Sequence, residues 1–553
     1  MTRRIPYILA FLAGFAILVV ELCGGRFINR HLGSSLYGWT ALIGVILGGV
    51  SLGNLFGGML VGTNRARRVL AEACLLASLL TILVLRLHPL LSLAVVGMEG
   101  IPWGTRVVLI VTGVLFVPAV GYGLISPLAT DWALRTNPER QGAVLGSMAA
   151  CGTWGAIIGT FLTGFYLIGA LGTASLLITT ACILGLMGLW LLGAHTLRAG
   201  WLAFPLVVFA MVYTWPLPGR AATVHDLNRQ LAQQYTDDPL VYFDESNYFT
   251  IQVVKARTDD GKRRLDLVLD QLIHGFVVLD EPTRLEYGYE HVYSWVTRRL
   301  AKTEGLSTLR CLYLGGGAYT FPRWVEHEFP GSQQLVAEID PRVTEAVHAA
   351  MYLPRDTPIR TQIDDARHVV HTEPPGSYDV IYGDAFNGFS VPYHLTTLEF
   401  DQAVDRLLAP NGVYLLNLID IYDPVAPEKS RFVGSVVRTL AQVFGDNNVS
   451  AYVAESFQIF KPGVSSRTTF VVVCHKGPLD LTRLGMPEVD LPPTPGQALQ
   501  QIIPLEGPAR TLLASRGLTL TDDYVPVDQL LAPVAATRAD EQGGRGKAPP
   551  GER

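Results

Sequence analysis

Charge is scarce in this 553-residue chain: Asp, Glu, Lys and Arg together make up 16% of it, against 49% hydrophobic residues, and mean hydropathy is +0.30. A soluble enzyme of this size carries roughly a quarter charged residues, so part of the chain is expected to lie in a bilayer. Basic excess is missing as well. A net charge of -5 and a pI near 6.2 leave no electrostatic footprint for nucleic acid. The six cysteines, at 23, 74, 151, 182, 311 and 474, form no CxxC and no paired spacing, which argues against a zinc site or a disulfide framework. No metal is expected. There is no GxxxxGK[ST] motif, and no basic cluster flanks the glycine run at 315–317, so a nucleoside triphosphate is not the expected ligand.

The hydrophobic residues are concentrated in the first two-fifths. Seven runs approach the length needed to cross a bilayer, at 6–23, 37–61, 69–87, 107–128, 143–168, 173–193 and 199–215. The first lacks a clear small-residue cleavage site and continues into "ELCGGRF", so it is read as a span and not as a signal peptide. Glycines crowd "GVILGGVSLGNLFGGML" (44–60) and "GSMAACGTWGAIIGTFLTG" (146–164), a pattern that lets membrane helices approach closely. Glu21 is either a functional intramembrane acid or an interfacial partner of Arg26. Asp131 and Arg135 read as a pair at the end of a span.

Orientation follows from arginine. With the N-terminus inside, inside segments hold Arg3, Arg4, Arg65, Arg67, Arg68, Arg135, Arg140 and Arg198, and outside segments hold Arg26, Arg30 and Arg106. Eight against three supports that orientation. Seven spans would then carry the C-terminal half outside, although the shortest run, 199–215, contains Pro205 and reads equally as re-entrant.

Composition changes near residue 216. A linker at 217–239 leads to a small β-strand domain (240–283), where "YFTIQVVKA" and "LDLVLDQLIHGFVVL" flank an Asp-Gly hairpin signal. A helical stretch at 284–302 opens a longer domain, 284–532, in which apolar strands alternate with helices: "CLYLGGG", "RWVEHEF", "QQLVAEID", "RVTEAVHAAMY", "TQIDDARHVV", "YDVIYGDAF", "EFDQAVDRLLA", "GVYLLNLID". Such alternation predicts a mostly parallel, doubly wound, Rossmann-like sheet. The tail, 533–553, has a disordered composition. The expected fold is thus an α-helical transmembrane bundle of about seven spans (1–216) followed by an α/β unit.

In an open α/β sheet, ligands bind beyond the carboxyl ends of the strands. Four successive strand ends here carry Gly315-Gly316-Gly317, then Glu338 and Asp340, then Asp364 and Asp365, then Asp384. Any one such acid would ordinarily cap a helix or solvate a loop. Together they suit a nucleoside, with an acid on the ribose hydroxyls and another near the adenine amine. The surplus of carboxylates over basic groups favours a ligand bearing positive charge, such as a sulfonium nucleoside or a polyamine.

Residues 240–430 resemble the spermidine synthase (polyamine aminopropyltransferase) family in "DESNYFTIQV" (244–253), "LVLDQLIHG" (267–275), "YLGGGAYTFPRWV" (313–325), "AEIDPRV" (337–343), "DDARHVV" (364–370) and "YDVIYGDAFNGFSVPYHLTTLEF" (378–400). Residues 19–53 and "LTDDYVPVDQLL" (520–531) are similar to the variant fused to a multi-span membrane domain. The resemblance implies a multi-pass inner-membrane enzyme that transfers an aminopropyl group from decarboxylated S-adenosylmethionine to a small amine, putrescine or another polyamine. It implies no prosthetic group, and dimers are usual in the family. Asp384 falls at the catalytic aspartate, Glu338 at the ribose-binding acid with Asp340 beside it, and Asp365 near the adenine. Gln271 and either Tyr287 or Tyr289 fall where the family closes over its substrates.

Two positions depart from the family. Ala318 stands where an aspartate usually follows the three glycines, and Asn387 where a second acid follows the catalytic one. Asp522 or Asp523 could replace these carboxylates, and His394 is a candidate proton shuttle. The alternatives are a methyltransferase using intact S-adenosylmethionine, and a transport or sensing protein whose nucleoside domain binds without turnover. Because sulfonium nucleosides are made in the cytoplasm, the catalytic domain is expected on the cytoplasmic face, against the arginine count.

Overall fold

The computed structural model describes residues 4–32, 36–62, 66–96, 103–193, 240–258, 260–270, 272–385, 391–455, 466–481, 501–527 and 529–531. The run 199–215, the linker 217–239, the tail 533–553, Gln271 and Asn387 lie outside the described residues. The chain divides into two compact units, Met1–Thr250 and Ile251–Arg553.

The first unit is helical: α1 (Ile5–Leu32), α2 (Leu36–Met59), α3 (Ala66–Val96), α4 (Trp103–Val111), α5 (Val117–Gly123), α6 (Ile125–Thr136), α7 (Gln141–Leu162), α8 (Ile168–Leu171) and α9 (Thr173–Gly193). Six stretches among the described residues are long and apolar enough to cross a membrane. α4, α5 and α6 form one of them, and a wide turn at Thr112–Phe116 separates the first two of these helices. Pro118 explains that turn: it has no N–H to give to the preceding turn, and its ring crowds the carbonyl there. Glycine allows the closest helix approaches. A methyl group on Gly155 would lie 2.0 Å from the Phe11 carbonyl oxygen, and one on Gly53 would lie 2.2 Å from that of Val120. The buried hydroxyls of Thr81 and Tyr122 meet within the bundle at 2.6 Å. Asp131 and Arg135 pair at 2.8 Å along α6. The first unit ends with strand β1 (Leu240–Glu245).

In the second unit, β2 (Thr250–Arg257), β3 (Arg263–Leu269) and β4 (Leu272–Val278) pair as an antiparallel meander. The Asp-Gly hairpin is present, with Gly261 at φ +81°. The helix Gly288–Glu304 leads to an eight-stranded sheet ordered β12-β10-β11-β9-β8-β5-β6-β7. Its strands are β5 (Arg310–Leu314), β6 (Gln333–Glu338), β7 (Arg360–Ile363), β8 (Tyr378–Gly383), β9 (Leu408–Tyr422), β10 (Val449–Glu455), β11 (Ser466–His475) and β12 (Gln501–Leu505). β9, β8, β5, β6 and β7 run parallel, whereas β11, β10 and β12 extend the sheet in antiparallel fashion. Strand order reverses between β5 and β8. The crevice of a doubly wound sheet opens at such a point.

Candidate functional site

The β5/β8 switch point brings the glycine turn against Asp384. Leu314 and Gly383 are register partners, and Asp384 N–H donates to the Leu314 carbonyl at 3.0 Å. Gly315, at φ +101°, leaves no room for a side chain: a methyl there would lie 2.6 Å from the Asp384 carbonyl oxygen. Gly317 (φ +49°) packs equally close to the carbonyl of His274 on β4, also at 2.6 Å. The glycines are therefore required by backbone that approaches from both sides.

Asp384 is held by two donors. The Tyr289 hydroxyl donates to one carboxylate oxygen at 3.0 Å, and the Asn417 amide donates to the other at 2.9 Å. Burial pushes the Asp384 carboxyl up to about 6, while the bonds from Asn417 and Tyr289 pull it down. Tyr287 and Tyr289 part in space. Tyr289 reaches Asp384, while Tyr287 precedes the helix Gly288–Glu304 and packs edge-on against Phe276 at 4.9 Å.

Glu338, at the end of β6, accepts the Gly316 N–H at 2.9 Å and the Asp340 N–H at 3.0 Å. Burial raises its pKa against those two bonds. Asp340 caps the helix Pro341–Ala350 by accepting the Arg342 N–H at 3.0 Å, and it is fully buried. Asp365 does the same for the helix Ala366–Thr372 and also meets His394 Nε2 at 3.1 Å. Asp364 bonds His368 at 2.6 Å, which lowers its pKa. Of the acids at the strand ends, Glu338 and Asp384 thus flank the glycine turn, while Asp340 and Asp365 terminate helices.

Other residues fall differently from expectation. His394 sits on Asp365. Asp522 grips Arg367 through both oxygens, at 2.8 and 2.5 Å, and accepts from Thr397 at 2.7 Å, so its charge is neutralised there. Ala318 is buried at 2% exposure, and a methyl on Gly275 (φ +141°) would lie 2.7 Å from the Ala318 Cβ.

Two residues of the site escaped the sequence reading. Asn417 is a lone amide in the apolar strand "VYLLNLI", and that isolation was the available signal. Glu290 is buried and accepts the N–H groups of Tyr287 and Glu286 at 3.1 and 3.2 Å. Burial pushes its carboxyl up to about 8.

No family model matches the sequence. Over 112 residues, 20% of the chain, it is 34% identical to the polyamine aminopropyltransferase of Vibrio vulnificus (strain CMCP6), of which that stretch covers 37%. Over 137 residues, 25% of the chain, it is 29% identical to a probable polyamine aminopropyl transferase of Bifidobacterium longum (strain NCC 2705), covering 29% of that protein. The chain therefore spans only 29–37% of the length of these two curated relatives. A crystal structure of a probable spermidine synthase from Corynebacterium glutamicum aligns with 44% of this chain and 83% of its own at 24% identity and a TM-score of 0.39. Over the fifth to quarter of its length that aligns, the chain is similar to polyamine aminopropyltransferases, the family that its motifs resemble.

Proposed function

We propose that the chain is a membrane-anchored aminopropyltransferase, with the helical unit in the bilayer and the second unit carrying the reaction. The amine nitrogen attacks the propyl carbon bonded to the sulfonium sulfur of decarboxylated S-adenosylmethionine. The carbon–sulfur bond breaks, its electron pair stays on sulfur, and methylthioadenosine leaves as a neutral thioether. The nitrogen gives up one proton to Asp384, directly or through water. Glu338 would accept the ribose hydroxyls, and Gly315–Gly317 would admit the nucleoside against backbone. The acids at the β7 end, Asp364 and Asp365, would face the adenine. Holding both substrates in one crevice supplies the orientation that a displacement needs.

The observation that carries this reading is Asp384, a carboxylate at the switch point with a raised pKa and two fixed donors. A proton acceptor works best with a pKa near working pH. The test is a product assay on detergent-purified protein, given decarboxylated or intact donor with a panel of amines. Methylthioadenosine formed only with the decarboxylated donor and an amine is the expected result. Ala318 favours a second reading, since a buried alanine cannot pair with an aminopropyl ammonium. S-adenosylhomocysteine from the intact donor would establish that methyltransferase instead. Nucleoside binding without either product would sink both.

A further inference from the structure

The register of the helices fixes which ends of the bundle lie together. Phe11 faces Gly155 and Phe15 faces Gly159, so α1 and α7 run parallel. Ser78 donates to the Ala181 carbonyl at 2.6 Å and Gly188 lies on Ala71, so α3 and α9 run antiparallel. Gly49 faces Ala119 and Gly57 faces Pro127, so α2 runs alongside α5 and α6 in the same direction. Gly113 meets Leu91 and Gly121 meets Leu80, which sets α3 against that pair. Gly24 on Leu115 ties the upper part of α1 to the same level. One end of the bundle therefore carries Ile5, Met59, Ala66, Thr136, Gln141 and Gly193. The other carries Leu32, Leu36, Val96, Trp103, Leu171 and Thr173.

Arginine divides between these ends. Arg4, Arg67, Arg68, Arg135 and Arg140 lie at the first, with the N-terminus, and Arg3 and Arg65 adjoin them in sequence, whereas Arg26, Arg30, Arg86 and Arg106 lie toward the second. Basic residues gather on the cytoplasmic side of a membrane protein. The second end is thereby the outer one.

The last residues of the first unit are attached at that second end. The Arg26 guanidinium donates to the Ser246 carbonyl, and the Glu245 carboxylate accepts the Thr173 N–H at the start of α9. An acid is favoured at that position by the helix dipole. The Asn247 amide donates to the Phe165 carbonyl at 3.3 Å, and its side chain lies against Gly169. α9 begins beside these residues and ends, after 21 residues, about 30 Å away.

We infer that the chain leaves its helical unit on the membrane face opposite its N-terminus, and that this face is extracytoplasmic. The run 199–215 lies outside the described residues; of its two readings from the sequence, span or re-entrant, the inference requires the span. The inference rests on the helices being spans and is independent of the reaction assigned to the second unit. It reverses the expectation drawn from donor supply, which put the C-terminal half on the cytoplasmic face.

The experiment is cysteine labelling of the full chain in intact cells with a membrane-impermeant maleimide, read against the unsubstituted chain. Glu139→Cys reports the turn between α6 and α7, and Thr303→Cys reports an exposed position in the second unit. The expected result is labelling of Thr303→Cys in intact cells, with Glu139→Cys labelled only after lysis. Protection of Thr303→Cys in intact cells overturns the inference, whatever Glu139→Cys does. Release of the unsubstituted chain from membranes by alkaline carbonate overturns instead the reading of the helices as spans.

Discussion

Replacing Asp384 by asparagine separates a proton acceptor from a structural acid, because the two roles predict opposite signs for stability. Folding lifts this carboxyl from 3.8 to about 6, chiefly through burial. Below pH 3.8 it is neutral in both the folded and unfolded chain and costs nothing. Between 3.8 and 6 the unfolded chain ionises first, so stability falls as pH rises; above 6 the loss is complete and constant. A shift of that size corresponds to roughly 3 kcal/mol at pH 7. Asparagine removes the charge but keeps the shape. The Tyr289 hydroxyl still has an oxygen to donate to. The Asn417 amide can turn its own oxygen, which is buried without a hydrogen bond, toward the new amide hydrogens. Asp384→Asn should therefore raise the thermal midpoint at pH 7, and the gain should shrink toward zero near pH 4. Turnover should drop by about 10²- to 10⁴-fold, the usual contribution of a positioned base. Thermal unfolding and methylthioadenosine release, followed on the same preparations across pH 4 to 8, read both effects. A lowered midpoint with turnover preserved would refute the reasoning, since it would make Asp384 a stabilising ion and not a reactive one.

Other positions carry smaller tests. Tyr289→Phe removes one of the two donors to Asp384; a hydrogen bond to a charged group contributes about 1.5–3 kcal/mol, so kcat/KM should fall roughly 10- to 100-fold and the acidic limb of the pH profile should move upward, while Tyr287→Phe leaves both near wild type. Glu338→Gln should raise the KM for the nucleoside donor about tenfold or more with kcat little changed, measured by initial rates; an unchanged KM would remove Glu338 from the donor site. Ala318→Asp, which would introduce the carboxylate usual in the family that the motifs resemble, should lower the thermal midpoint by the equivalent of about 1–3 kcal/mol, because Gly275 already closes on that Cβ.

The alternation of strands and helices was legible because each strand of the parallel core is an apolar run ended by glycine or acid, and the β5 and β8 ends met where that pattern pointed. The antiparallel extension was not legible. β10 and β11 are apolar runs like the others, and strand direction leaves no mark on composition when both faces are buried. The function of a strand-end acid was legible only by type. Asp340 and Asp365 look like Glu338 in sequence, and in space they also cap helices, because an acid just before a helix satisfies free N–H groups whether or not a ligand is near. The carboxylate substitute proposed at Asp522 failed for a related reason: its partner, Arg367, lies 155 residues away in sequence, and no local pattern reports it.

Glu290 supplies the control for Asp384, since both are buried acids of one neighbourhood. Burial holds the Glu290 carboxyl up at about 8, and the negative charge of Asp384 contributes to that rise. At pH 7 it is therefore mostly protonated in the folded chain, where it serves the N–H groups of Tyr287 and Glu286. Glutamine offers the same acceptor oxygen, so Glu290→Gln should keep the start of the helix Gly288–Glu304 intact. Its stability advantage over the wild type should grow from pH 4.5, where the unfolded glutamate ionises, up to about 8, and hold level beyond. The nearest reacting group loses only a neighbour that was already neutral, so turnover should stay within a few-fold of wild type. If Glu290→Gln abolished product formation while Asp384→Asn retained it, the proton would be travelling through Glu290, and Asp384 would be the residue that sets its pKa.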